Sequence, residues 1–124
     1  MPFVPAADAV VHEMHGVRFV SYAASALGSK ELCAWRTEVS AGRAGPPHRI
    51  SREEVFLVLS GSLELTIDGE TRSLSAGDTA VAPPGSSLGL VNATEKPATM
   101  WVTTSTGLEA ELADGSRISP PWAN

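Results

Sequence analysis

His48 and Glu54 are the side chains in this sequence best placed to do chemistry. In "GPPHRISREEVFLVLSG", residues 45–61, an imidazole and a carboxylate stand six positions apart, ahead of an apolar run that ends in glycine. With further donors such a pair holds a divalent cation, which needs three or more nitrogen or oxygen ligands from the protein to be retained against water. Without them the carboxylate can orient the imidazole and raise its basicity, giving a general base for proton transfer. A third outcome is purely structural: buried together, the two groups satisfy each other where either alone would be costly.

Other reactive side chains offer less. Cys33 is the single cysteine, so no disulfide or thiolate cluster forms within one chain, and it reads as a buried small hydrophobe in a reducing compartment. His12 and His15 in "HEMH" fall one residue short of the helical spacing that pairs two imidazoles on zinc, and on a strand they would face opposite ways. Glu64, Asp68 and Glu70 alternate along a hairpin as a solvated face would, with too few oxygen donors in series for a calcium loop.

The elements that must position His48 and Glu54 are strands. A chain of 124 residues is expected to form one core, and 11 glycines and 9 prolines fit many tight turns. Apolar residues recur at short spacing in "VRFVSYAA" (17–24) and "ELCAWRTEV" (31–39), with "LGSK" between them. Asp68-Gly69 sits between two alternating runs and predicts a type I′ hairpin. "TAVAPPG", "LGLVNA" and "ATMWVTTS" supply further strands, and "LEAELADGSRI" a last hairpin around Asp114-Gly115. The prediction is a single all-β domain over residues 1–124: an N-terminal arm over 1–16, a barrel or sandwich over 17–105, and a C-terminal hairpin and tail over 106–124. In that tail Trp122 is expected to anchor the chain to the barrel or a partner, or to cover a pocket mouth.

Charge and hydropathy narrow the partners. The net charge of −5 and the scattered distribution of the 9 lysines and arginines argue against nucleic acid. The N-terminus has no basic leader, and no apolar run approaches a bilayer span, so a cytoplasmic protein with no membrane partner is expected. In "EEVFLVLS", Val55, Leu57 and Leu59 share one face while Phe56 and Val58 share the other. Something should cover the outer face, either the N-terminal arm or the second subunit of a homodimer.

Two segments carry a family resemblance. The run Gly42-x5-His48-x-Ile50-x3-Glu54-x6-Gly61 resembles the first motif of the cupin superfamily, and Gly77-x5-Pro83-x-Gly85-x2-Leu88-x3-Asn92 resembles the second. The resemblance implies an antiparallel β-barrel of jelly-roll type, with motifs over 42–61 and 77–92. In metal-binding members two histidines and a glutamate of the first motif and a histidine of the second converge on one ion. Those positions are His48, Ile50, Glu54 and Leu88 here, so two of the four are hydrocarbon. No metal and no other cofactor is therefore expected; if a metal were present, His48 and Glu54 would hold it. Inside such a barrel the two remaining groups should lie close enough to share a proton. Some metal-free cupins, notably sugar-nucleotide epimerases, use an imidazole base, but their phosphate-gripping basic residues have no counterpart here.

Strand parity suggests the rest of a pocket. Leu88, Leu90 and Asn92 share a face, as do Cys33, Trp35, Thr37 and Val39. Trp35, Ile50, Phe56, Leu88 and Asn92 are the expected ligand-pocket residues, around a small apolar or aromatic molecule. Asn92 is also the residue that in cupins often serves the backbone of a turn. Three functions fit these residues. One is a metal-independent isomerase, cyclase or lyase using His48 as general base with Glu54. Another is a non-catalytic ligand-binding or sensing module. The last is a metal-dependent oxygenase or decarboxylase with a rebuilt ligand set.

Overall fold

A computed structural model describes residues 3–124. Twelve strands run β1 (Val10–Met14), β2 (Val17–Ala23), β3 (Leu32–Val39), β4 (His48–Ile50), β5 (Glu54–Ser60) and β6 (Ser62–Ile67), then β7 (Glu70–Ser75), β8 (Thr79–Ala82), β9 (Ser87–Val91), β10 (Ala98–Ser105), β11 (Ala110–Leu112) and β12 (Arg117–Ile118). They form two six-stranded sheets, ordered β1-β2-β3-β10-β5-β8 and β12-β11-β4-β9-β6-β7. Every pairing is antiparallel. Successive strands from β3 to β6 alternate between the sheets, and the return from β7 to β10 places β10 beside β3 and β9 beside β4, which is jelly-roll topology. The two sheets face one another without joining into a continuous ladder, so the barrel is a flattened one.

Turn chemistry explains why the strands stop where they do. Asp68 and Gly69 both have positive φ, 48° and 85°, as a type I′ turn between β6 and β7 requires. A second such turn, at His15 (φ 55°) and Gly16 (φ 77°), joins β1 to β2. The N-terminal segment thus continues the first sheet at its β2 edge. Between β5 and β6, Gly61 has φ 74°, and a Cβ there would come within 2.7 Å of the Pro97 carbonyl oxygen. Only glycine fits that crossing.

Alternation along each strand puts one set of side chains between the sheets. Trp35, Thr37 and Val39 of β3, Phe56 and Val58 of β5, and Leu63 and Leu65 of β6 are buried there. Each large apolar side chain buried in this way contributes about 1.5–3 kcal/mol. The opposite face of β5 stays open: Val55 and Leu59 are 39% and 45% exposed, and Val81 of the neighbouring β8 is 54% exposed. The N-terminal segment does not cover them, because β1 lies at the other edge of the same sheet. No helix among the described residues is long and apolar enough to cross a membrane.

Candidate functional site

Between the sheets lies a cavity of about 120 Å³. Trp35, Thr37, Glu54, Phe56 and Met100 line it from the first sheet, and His48, Leu65, Leu88 and Leu90 from the second. His15 and Phe19 of the β1–β2 hairpin also line it, together with Trp122 of the C-terminal tail. Trp122 stacks on Phe19 with ring centroids 3.8 Å apart and planes within 4°. The tail is fastened by Asn124, which accepts from the Ser25 N–H through its backbone oxygen and donates to the Pro120 carbonyl through its amide.

His48 reaches the cavity through a rigid approach. Pro47 holds the residue before it extended, which leaves the Pro46 carbonyl outside any strand ladder. The Gly45 N–H donates to Leu90 O at 3.0 Å, tying this segment to β9. The His48 Nδ1 lies 3.0 Å from Pro46 O. A carbonyl can only accept, so Nδ1 carries the proton of the neutral ring, and Nε2 is left with its lone pair.

Glu54 opens β5 on the inner side, opposite Ala82 and Thr104. It is 4% exposed, and the Thr104 hydroxyl beside it is spent on the Glu53 carbonyl. No hydrogen bond or ion pair reaches the Glu54 carboxyl among the described residues. Burial alone pushes its pKa up to about 8, so at neutral pH it is mostly the uncharged acid.

The structure corrects the expected sharing of a proton between His48 and Glu54. Both line one cavity, yet among the described residues no hydrogen bond joins them: Nδ1 lies against the Pro46 carbonyl and no partner reaches the carboxyl. Two expected pocket residues also lie elsewhere. Ile50 is buried in the core off the cavity wall, because its N–H and C=O are clamped to Ser86 and Gly85 of the Pro-Pro-Gly turn. Asn92 is fully buried and off the wall as well: its amide donates to Val39 O and Lys96 O, and its oxygen accepts from the Thr94 N–H and hydroxyl. Trp35, Phe56 and Leu88 are on the wall, and the Trp35 indole N–H donates to Thr37 Oγ1 at 3.0 Å.

The cavity wall holds residues beyond those expected from sequence, His15, Thr37 and Phe19 among them. For His15 the signal is the His-Gly pair before a strand, a turn signal that places it at a sheet end. For Thr37, alternation with Trp35 and Val39 gives the inward face and no role. Phe19 had no signal beyond alternation.

The metal site that this donor pattern suggests does not fit the residues present. Among the described residues no three His, Cys, Asp or Glu side chains gather, and Leu88 stands directly opposite His48 in the β4–β9 ladder. One imidazole and one uncharged carboxyl are a poor cage for a divalent ion.

The Cupin domain family model matches residues 35–104, a span that includes both motifs and strands β4 to β9. The chain belongs to the cupin family. Among solved structures, this cupin is similar to an RmlC-like cupin from Shewanella frigidimarina, with TM-score 0.73, 22% identity, and coverage of 85% of this chain and 90% of the other. It is similar to the polyketide cyclase RemF from Streptomyces resistomycificus, with TM-score 0.75, 21% identity, and coverage of 85% and 79%. KdgF from Halomonas sp. has TM-score 0.70 and 23% identity over 84% of this chain and 93% of its own. At such identities these likenesses show the fold. No curated protein matches the sequence.

Proposed function

We propose that this cupin binds a small apolar molecule between its sheets and catalyses a metal-independent proton transfer on it, as an isomerase, cyclase or lyase does. The observation that supports this most is the inequivalence of His48 and Glu54 within one cavity. His48 presents a free Nε2 lone pair on a ring fixed by Pro46, while Glu54 presents an uncharged carboxylic acid. A base and an acid that share no hydrogen bond with each other, in hydrocarbon surroundings, are suited to removing a carbon-bound proton and stabilising the oxygen on which charge develops. Nε2 takes the proton and the ring becomes imidazolium. The substrate's electron pair moves onto its oxygen, to which Glu54 donates a hydrogen bond. Return of the proton to a different carbon completes an isomerisation and restores both groups.

Solved cupins of similar fold include a polyketide cyclase and a sugar phosphate isomerase. The apolar lining favours an uncharged substrate over a phosphorylated one, because among the described residues no lysine or arginine lines the cavity to meet a phosphate. The test is to identify by native mass spectrometry whatever co-purifies, then to follow its turnover. Loss of turnover with retained binding in His48→Gln supports the reading. Full binding with no turnover of any bound compound would make the protein a binding or sensing module. Assembly belongs to the same proposal: the open face bearing Val55 and Val81 is that of a homodimer.

A further inference from the structure

Thr37 is 2% exposed, lies on the cavity wall, and is half used. Its oxygen accepts the Trp35 indole N–H, two positions back on the same face of β3, and that bond orients the hydroxyl. Among the described residues nothing accepts the Thr37 hydroxyl proton. A buried hydroxyl in this state has a donor to give, and the space beside it is the cavity.

The rest of the wall limits what can receive that bond. His15, His48 and Glu54 are the titratable side chains on it, and no lysine or arginine joins them. An anion entering would lose its hydration without meeting a permanent cation, which is a heavy cost in such surroundings. Size is limited too. A cavity of about 120 Å³ compares with the roughly 150 Å³ of an apolar cavity in another protein that holds a single benzene.

We infer that the cavity takes an uncharged molecule of about one ring, bearing an acceptor oxygen such as a ketone, and that the Thr37 hydroxyl donates to one lone pair of this oxygen, leaving the other for Glu54. The inference deepens the proton-transfer reading by naming a substrate class and a positioning residue. Its core, the neutral ligand and the Thr37 bond, stands or falls separately from catalysis by His48.

Cyclohexanone, methylcyclohexane and cyclohexanecarboxylate are the probes, each titrated into the full chain while cavity methyl resonances are followed by NMR. In the wild-type protein cyclohexanone should bind saturably and the carboxylate should not. Thr37→Val should weaken cyclohexanone by roughly tenfold, the effect of one lost hydrogen bond, while leaving methylcyclohexane unchanged. Thr37→Ser should restore cyclohexanone. Carboxylate binding as tight as that of the ketone in the wild-type protein overturns the inference, with no variant needed. So does unchanged ketone affinity in Thr37→Val. Exchange of the ketone's α-protons in D2O separates the two readings. Selective binding without His48-dependent exchange removes the catalytic proposal and leaves this one, whereas exchange lost in His48→Gln but indifferent to Thr37 does the reverse.

Discussion

Leu88 lies directly across from His48 in the β4–β9 ladder, so the imidazole faces hydrocarbon where a metal-binding cupin has its next ligand. Cross-strand partners have Cβ atoms about 4.5–5.5 Å apart, close enough for two imidazoles to share an ion. Leu88→His should therefore supply the third donor, with His48 Nε2 and Glu54. The variant is expected to bind Co²⁺ with one equivalent and a tetrahedral-type visible spectrum, where the wild-type chain holds it far more weakly. Equal cobalt affinity in the two proteins would show that Leu88 is not what keeps a metal out.

Glu54 should write its burial into the pH dependence of stability. Its pKa is about 8 when folded and the ordinary value is 4.5. Between those limits the folded state binds the proton that the unfolded state has released, so stability falls as pH rises, at up to about 1.4 kcal/mol per pH unit. Below that window the cost is absent; above it the cost is complete and amounts to several kcal/mol. Glu38 and Asp114 are shifted the other way, and their contributions are lost only at more acidic pH. Urea unfolding from pH 5 to pH 9 should show the decline in the wild-type protein, and Glu54→Gln should flatten it. The same slope in both proteins would place the titrating group elsewhere.

How far these sites were legible depends on whether a position is decided locally. Asp68-Gly69 is decided by two residues, and the turn came out as read. The inward face of Trp35 and Thr37 follows from alternation alone. Ile50 is expected in the pocket because the resemblance puts a metal ligand at its position; a motif position does not say what the backbone there bonds to, and the clamp to the Pro-Pro-Gly turn keeps Ile50 off the wall. That His48 and Glu54 share no hydrogen bond is illegible for a related reason: the Nδ1 partner is Pro46 O, a carbonyl that the extended Pro46-Pro47 segment leaves outside the strand ladders. Asn92 was read both as a wall residue and as a turn residue. Its four hydrogen-bonding capacities go to the Val39 and Lys96 carbonyls and to the Thr94 N–H and hydroxyl.

Asn92 is accordingly expected to matter for stability. Asn92→Ala would remove a donor from Val39 O and from Lys96 O and the acceptor of the Thr94 N–H, and would leave a gap where a fully buried side chain stood. The expected loss is about 2–4 kcal/mol in chemical denaturation. Cyclohexanone affinity, measured where the variant remains folded, should hardly move, because the side chain is not on the cavity wall. A large change in affinity with little loss of stability would return Asn92 to the binding site.

Val55 and Val81 face each other across the β5–β8 pair on the outer side of the first sheet, and β8 is the edge strand. An exposed apolar edge invites pairing with another chain unless something covers it. A second copy related by a two-fold axis would set the same patch against itself, burying Val55 and Val81 on both sides. Sedimentation velocity over a concentration series should therefore show a dimer for the wild-type chain. Val81→Glu should weaken self-association by at least roughly tenfold through like-charge repulsion across the axis. Its unfolding free energy at high dilution should change by no more than about 0.5 kcal/mol, as for other exposed substitutions. A wild-type chain that stays monomeric throughout the series would mean that this face is either bare or kept for a different partner.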